Sequence, residues 1–242
     1  MYERLYQCMK EYNCDIVDCR MMRDYPNGRT YIYHKMPNRL DAEEKSIMEG
    51  GTHWIDRFGE EGYGGGVVTG LYKKELLLKS GVKFPEKILY EDNYWVAILM
   101  LYVKRYFHLA EDLYHYRQRE DSTVHKKNAM HHVDRLAIEE MKLKTYHDLH
   151  IYERYREIIE QDFLREYYCR TLLTMLVKYD NSPYDVFCHM NRRVMELYPD
   201  YKKTELAQNE GIGKILLGLI DRDLDEVQFM EIKKIILSYY GR

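Results

Sequence analysis

The stretch K-F-P-E-K-I-L-Y-E-D-N-Y-W, residues 83–95, marks a place where an extended segment gives way to a helix. Gly81 and Pro85 indicate a turn or loop at its start. The apolar run 88–90 is typical of a short strand. Two acids, Glu91 and Asp92, follow that run. Residues 94–103 are apolar almost throughout, which predicts about three buried helical turns. The stretch therefore predicts a strand-to-helix junction with a pair of carboxylates between two buried elements.

The two acids admit two interpretations. A carboxylate at such a junction is suited to act as a catalytic base, because its environment can tune its affinity for a proton. Alternatively, Asp92 is the helix N-cap, where it accepts hydrogen bonds from backbone N–H groups and meets the positive end of the helix dipole. Residue chemistry alone leaves both interpretations open, because acidic caps are common.

Composition limits the class of protein. The chain has 242 residues, of which 45% are hydrophobic, enough for one large domain or two small ones. Its 37 Lys and Arg against 40 Asp and Glu give a net charge of −3, which argues against a nucleic-acid binder, because phosphate neutralisation needs a basic surplus. Tyrosine is used 25 times against 6 phenylalanines, which suits half-hydrated surfaces.

The cysteines and apolar runs indicate a cytoplasmic protein. Five cysteines without a C-x-x-C spacing favour reduced, buried thiols over a disulfide framework or a zinc site. No signal peptide follows Met1, and no run reaches the ~18 apolar residues of a membrane span. These cysteines are Cys8, Cys14, Cys19, Cys169 and Cys188.

Strands and helices are mixed in the first half of the pattern. The predicted elements are a helix at 2–12, a strand at 14–19, a hairpin around 26–28, a short helix at 41–49, an extended segment at 67–72, a helix at 73–79 and strands at 106–110 and 113–117. The glycine-rich run E-E-G-Y-G-G-G-V-V-T-G at 60–70 lacks the spacings of phosphate loops, so it is interpreted as a loop at an active-site rim.

Helices alone follow. They are predicted at 128–149, 151–178, 184–197, 205–220 and 224–239, with breaks at turn-forming residues. The pattern therefore predicts an α/β (α+β) region at 1–125 with a short mixed sheet, and an all-α region at 126–242.

Two stretches resemble a known family. V-T-G-L-Y-K-K-E-L-L-L-K-S-G-V-K-F-P-E-K-I-L-Y-E-D-N-Y-W at 68–95 and D-L-Y-H-Y-R-Q-R-E-D-S-T-V-H at 112–125 resemble the second half of family 2 glycosyltransferases. These are bacterial enzymes that build polysaccharides, teichoic acids and capsules. The opening, M-Y-E-R-L-Y-Q-C-M-K-E-Y-N-C-D-I-V, is similar to the helix and strand that follow the family's metal-binding aspartates. The resemblance covers about residues 1–125 and implies a partial GT-A-like fold.

The resemblance also implies a chemistry. It implies inverting sugar transfer from a nucleotide-sugar to a glycan or polyol hydroxyl, with Asp92 as the base and Glu91 orienting the acceptor or holding the neighbouring helix. The family's loop near the donor diphosphate is matched by Arg117, Arg119, Ser122 and His125, with His125 a weaker candidate for a metal ligand. Residue chemistry alone leaves a solvated turn equally open for this loop.

The match to the family has a large gap. The resemblance implies a bound Mn²⁺ or Mg²⁺, which members of the family hold with a D-x-D motif that precedes the matched part. The D-x-D strings of this sequence, formed by Asp221, Asp223 and Asp225, are interpreted as a linker and a helix N-cap. Three interpretations agree with this gap. The sequence could be a fragment, a degenerate remnant, or a split gene product that works with a second chain or as a homo-oligomer. The resemblance implies a cytoplasmic location, with peripheral attachment to the inner membrane face left open.

Two other functions compete with the transferase. The region 126–242 could be a non-catalytic protein-interaction module, in which case Asp92 should be engaged in a cap or a salt bridge. The aromatic and basic segment 152–179 could contact a membrane or a nucleic acid. Its arginines alternate with acids, however, which favours a salt-bridged helix.

Overall fold

The computed structural model describes residues 1–32, 36–51, 67–119 and 122–240, and the chain divides into two compact units. The first unit comprises residues 1–86 and 91–122, and the second comprises 87–90 and 123–242. The fold is mixed α/β, with helices in its C-terminal part. Residues 60–66 of the predicted glycine-rich loop lie outside the described residues, while Val67–Thr69 form a 3₁₀ turn that leads into a strand.

Five strands of the described residues form a mixed sheet in the first unit. Strand β1 pairs in parallel with β5, while β2 and β4 pair antiparallel with β1, and β3 pairs antiparallel with β5. The order is therefore β2-β1-β5-β3, with β4 beside β1. The strands are β1 (Ile16–Asp24), β2 (Thr30–Ile32), β3 (Arg39–Ala42), β4 (Gly70–Tyr72) and β5 (Arg105–Arg117).

The hairpin between β1 and β2 confirms the turn prediction. Met22 lies opposite Ile32 in an antiparallel register. Gly28 adopts a φ of 78°, which a residue without a Cβ reaches at low cost. The amide of Gly28 donates to the carbonyl of Tyr25 at 3.0 Å, which closes the turn.

One face of the sheet is apolar and is covered by helix α1 (Tyr2–Glu11). Leu5, Cys8 and Met9 of α1 pack against Val17 and neighbouring apolar side chains of β1 and β5. Period-2 alternation brings these strand residues to one face. Because alternate residues point the other way, the opposite face carries polar side chains of the same strands.

Two further helices belong to the described part of the first unit. Helix α2 (Lys74–Ser80) ends at Gly81, whose φ of 61° is the left-handed C-terminal conformation that the Ser-Gly pair predicts. Helix α3 (Glu91–Met100) begins at the acid pair and buries Trp95 and the four residues 97–100.

Three predictions for the first half are wrong. Residues 88–90 form no strand, because the neighbouring Lys87 and Tyr90 adopt φ values of 60° and 66°. Residues 41–49 form no continuous helix, because Asp41 pairs with Tyr106 in the sheet and only Ile47–Glu49 forms a 3₁₀ turn. The two strands predicted after α3 are one continuous strand, β5, with an irregular register opposite β1.

The second unit is helical. The predicted helix at 184–197 is found with those limits. The helix predicted at 151–178 begins at Arg156 and contains a π-helical turn, Leu164–Arg170, between two α-helices. The helix predicted at 205–220 is two short helices, because Gly211 takes a φ of 152° between them. The helices are α4 (Asp134–Asp148), α5 (Arg156–Phe163), α6 (Thr171–Lys178), α7 (Tyr184–Leu197), α8 (Glu205–Gln208), α9 (Ile212–Leu217) and α10 (Glu226–Tyr240).

Aromatic and aliphatic side chains form the core of the second unit. Phe187 of α7 stacks on Phe229 of α10 with ring centroids 4.3 Å apart. Tyr168, fully buried, donates its hydroxyl to the side-chain oxygen of Asn191 at 2.6 Å. Across the described ranges, none of the helices combines the length and the apolar character that crossing a bilayer requires.

Candidate functional site

The acid pair lies in the first turn of α3. Asp92 is exposed and Glu91 is half-buried. One carboxylate oxygen of Asp92 accepts a hydrogen bond from the amide of Asn93 at 2.9 Å. Asp92 is the second residue of the helix, so its predicted place at the N-cap is wrong by two positions. Both acids nevertheless lie where the helix dipole favours negative charge.

The carboxylate of Asp92 remains accessible. In the described part of the chain, no lysine, arginine or histidine forms an ion pair with it. Its exposed position differs from that of a structural acid sealed within a core. The arrangement can bring an oxygen that accepts protons into contact with a hydroxyl group from solvent.

Three aromatic side chains of the same unit, Tyr72, Phe84 and Trp95, pack together and are named the aromatic platform. Phe84 stacks almost parallel on Trp95, with centroids 4.7 Å apart and an interplanar angle of 7°. Tyr72 meets Trp95 edge to face at 5.3 Å. Trp95 is 6% exposed, whereas Phe84 is 42% exposed. The sequence signal for this cluster was the F-P-E motif, but its contacts join segments that are distant in the chain.

The residues predicted for the diphosphate loop divide between the two units. Arg117, Arg119 and Ser122 belong to the unit that contains Asp92, and His125 belongs to the other. Arg117 is the exposed last residue of β5, opposite Asp24. The amide of Ser122 donates to the carbonyl of Arg119 at 3.2 Å. His125, also exposed, ends a 3₁₀ turn. That these residues lie near a donor diphosphate, as the resemblance implies, stays a prediction.

A buried polar cluster lies on the sheet face opposite α1. Asp18 of β1 is 0% exposed, and His108 and Tyr106 of β5 are each 2% exposed. One oxygen of Asp18 accepts the Tyr106 hydroxyl at 2.7 Å and lies 2.8 Å from Nδ1 of His108. The other Asp18 oxygen and Nε2 of His108 find no hydrogen-bond partner among the described residues. Sequence analysis missed this cluster, because its members are far apart in the chain.

Further acid–base pairs follow the same two strands toward the surface. Arg20 lies 2.9 Å from Asp112, and Asp24 lies 2.9 Å from Nδ1 of His115. The side chains of the second pair are 29% and 55% exposed, in contrast to the sealed Asp18 cluster. The polar face of the central strands therefore changes from buried to solvated along its length, toward the end that carries Arg117.

The D-x-D strings are engaged in structural contacts. Asp221 forms an ion pair with Lys202. Asp225 accepts the amide of Gln228 at 2.8 Å, while the Gln228 side chain accepts the amide of Asp225 at 3.0 Å. This reciprocal cap at the start of α10 confirms the predicted N-cap. Within the described ranges, no group of three or more His, Cys, Asp or Glu residues is arranged to bind a metal.

Buried charges join helices in the second unit. Lys142 donates to both Glu139 and Asp162 at 2.8 Å, and all three are at most 9% exposed. Burial raises the pKa of Glu139 to about 7, although Lys142 acts to lower it. Burial also acts to lower the pKa of Lys142, but the two carboxylates hold that pKa well above its usual value.

The segment that precedes the acid pair is held by α4. The amide of Leu89 donates to Asp134 at 3.0 Å, and the guanidinium of Arg135 lies 4.5 Å from the centre of the Tyr90 ring. Arg135 is 8% exposed, and its Nε finds no hydrogen-bond partner among the described residues. These contacts explain why residues 88–90, although apolar, form a turn and not a strand.

The salt-bridged character predicted for residues 152–179 is confirmed. Arg156 pairs with Glu160 at 2.7 Å, and Arg170 pairs with Glu166 at 3.1 Å. Each pair is spaced four residues apart along the helix, so the charges of this segment are largely satisfied within it.

Comparison with known proteins adds no family assignment. Neither the protein-family models nor the curated proteins contain a match to this chain. The resemblance to family 2 glycosyltransferases therefore depends on the ordered motifs and on the chemistry of the residues described above.

Proposed function

We propose that residues 1–125 form the acceptor side of an inverting glycosyltransferase with a GT-A-like fold, which transfers sugar from a nucleotide-sugar to a hydroxyl group. The observation that carries this proposal is the exposed carboxylate of Asp92 at the start of a helix whose body is buried. A rigid helix with an accessible acid at its end can present a base to an incoming alcohol in a constant position.

The chemistry assigns a role to each acid. A sugar hydroxyl is a weak nucleophile until its proton is removed as the new bond forms. Asp92 accepts that proton while the hydroxyl oxygen attacks the anomeric carbon and the nucleoside diphosphate departs from the opposite side. Glu91, half-buried beside it, accepts a hydrogen bond from a second acceptor hydroxyl. Arg117 and Arg119, both exposed, offset negative charge on the leaving group.

A divalent metal, which the family resemblance implies, does not fit the aspartates of the D-x-D strings. Asp221 is paired with Lys202, and Asp225 caps α10. No step is therefore assigned to a metal bound by this chain. The competing proposal of an interaction module predicts that Asp92 is occupied by a cation or a cap. One Asp92 oxygen accepts the amide of Asn93, but the side chain is exposed and forms no ion pair with a lysine, arginine or histidine among the described residues, which favours the transferase.

The test is a sugar-transfer assay on the tagged, full-length protein purified from its native host with any polypeptide bound to it. Nucleotide-sugars and glycan or polyol acceptors are supplied, and release of nucleoside diphosphate is measured. We expect Asp92→Asn to reduce kcat by at least about 10²-fold with donor affinity nearly unchanged, because only proton removal is lost. Asp148→Asn, an exposed acid of α4, is the matched control and should retain full turnover.

Two outcomes would reject the proposal. Turnover retained by Asp92→Asn would remove the base assignment. A wild-type assembly that releases no nucleoside diphosphate with any donor and acceptor pair would remove the transferase activity and favour the interaction module.

A further inference from the structure

The aromatic platform combines a fixed ring with a free face. Phe84 stacks on Trp95, which is itself held by Tyr72 and buried in α3. Pro85 follows Phe84 and restricts its backbone to extended conformations. Phe84 is nevertheless 42% exposed, although a phenylalanine ring is one of the larger apolar groups that a core can bury. The ring is therefore positioned by packing on one face and is open to solvent elsewhere.

The platform and the acid pair share one face of α3. Trp95 follows Asp92 by three residues and Glu91 by four, spacings that place side chains on the same side of a helix, about 5–6 Å apart at Cβ. Helical side chains also lean toward the N-terminus, so the indole of Trp95 lies over the turn that carries the acids. Phe84 packs on that indole. The two carboxylates therefore lie on the side of α3 that carries the indole on which Phe84 packs.

This combination indicates the class of ligand. The C–H face of a pyranose ring carries weakly positive hydrogens, which are attracted to the negative face of an aromatic ring. The hydroxyl groups around the same pyranose are donors that carboxylates accept. A purely apolar ligand would leave the acids unused, and a phosphate or nucleotide would be repelled by them. A neutral sugar ring satisfies both features at once.

We propose that the exposed face of Phe84 is a binding site for a neutral pyranose ring, which rests on the aromatic platform with a hydroxyl group directed to Asp92. The inference rests on the proposed function, because it identifies the acceptor of that reaction as a sugar and not as an acyclic polyol. Stacking on Phe84 sets the plane of the ring, and the hydrogen bonds to Glu91 and Asp92 select which hydroxyl is deprotonated.

The test measures sugar binding by the full-length protein with saturation-transfer NMR, using the methyl glycosides of glucose, galactose and mannose, and glycerol as the acyclic probe. We expect saturable binding of at least one pyranoside. Phe84→Leu, which retains an apolar side chain but has no aromatic face, should weaken that binding about threefold to tenfold. Phe84→Tyr should retain it. Leu78→Ala is the matched control, because Leu78 is an exposed apolar residue of the same unit at 72% exposure.

The outcomes separate this inference from the proposed function. Pyranoside binding that is unchanged in Phe84→Leu, or glycerol binding as strong as that of every pyranoside, would overturn the platform as a sugar site. Transfer activity with an unchanged KM for the acceptor in Phe84→Leu would do the same while leaving the transferase intact. Pyranoside binding that depends on Phe84, in a protein without transfer activity, would support the site and reject the enzyme. Near-ultraviolet circular dichroism verifies that each variant is folded.

Discussion

Asp18 shows how a polar residue can be tolerated in the interior of the sheet. Its carboxylate is fully buried, and one oxygen serves both the Tyr106 hydroxyl and the His108 imidazole. Burial of a polar group is costly unless hydrogen bonds replace those made to water. The three side chains therefore depend on one another, and removing one leaves buried donors unsatisfied.

We expect Asp18→Ala to lower the free energy of unfolding by about 2–5 kcal/mol, because two buried donors lose their acceptor and a cavity forms. Urea denaturation at neutral pH measures this change. Asp112→Ala, which removes a partly exposed partner of Arg20, should cost about 1 kcal/mol or less. Equal losses in the two variants would show that burial of the Asp18 cluster does not determine its contribution.

At the scale of elements, charge pairs connect helices within the second unit, in addition to the apolar contacts of its core. Lys142 of α4 reaches Asp162 of α5, and Glu139 completes the cluster. Buried ion pairs of this kind contribute little net stability compared with apolar residues, but losing one partner is strongly destabilising. The cluster therefore connects α4 to α5, and its ionisable groups make the stability of this contact sensitive to pH.

The raised pKa of Glu139 predicts the sign of that sensitivity. Burial raises this pKa from 4.5 to about 7, so the folded protein keeps a proton that the unfolded chain releases. Its contribution to stability therefore falls as the pH rises from about 4.5 to about 7, and is constant above that. We expect Glu139→Gln to lose this part of the decline in unfolding free energy between pH 5 and pH 8, measured by urea denaturation.

The control for that prediction lies on the same helix. Glu140 pairs with Arg193 at 2.7 Å and is 34% exposed at its side chain. Glu140→Gln should retain the pH dependence of the wild type. The assignment to Glu139 is contradicted when both variants show the same decline as the wild type.

At the scale of the whole molecule, the residues proposed for acceptor chemistry belong to the first unit, while the D-x-D strings belong to the second. The aspartates of those strings are used for an ion pair and a helix cap. The transferase proposal therefore needs donor-binding residues beyond the motifs matched in this chain, from a second polypeptide or a further segment.

We expect the isolated chain to show no tight, metal-dependent binding of nucleotide-diphosphate sugars. Isothermal titration with Mn²⁺ or Mg²⁺ present measures this directly, and titration of the same donors without metal is the control. Tight binding that requires the metal would show that this chain has its own donor site.

Local sequence signals predicted the elements whose causes are local. The periodicity of residues 2–12 predicted α1, the Pro-Asn-Gly turn predicted the β1–β2 hairpin, and the Ser-Gly pair after α2 predicted its left-handed end. Each of these elements depends on residues within a few positions of one another. Hydrophobic periodicity, capping residues and turn residues are therefore sufficient to predict them.

Only the tertiary structure decided the features made by distant residues. Asp18 and His108 are 90 positions apart and meet because β1 and β5 pair in parallel. Residues 88–90 have an apolar pattern typical of a strand, yet a carboxylate of α4 binds their backbone and a turn forms. The Glu91 and Asp92 pair could be recognised in the sequence, but the aromatic platform depends on the packing of Phe84 and Tyr72 against Trp95. Pairing and burial between remote segments have no signature in a local pattern, because they are selected by the free energy of the assembled core.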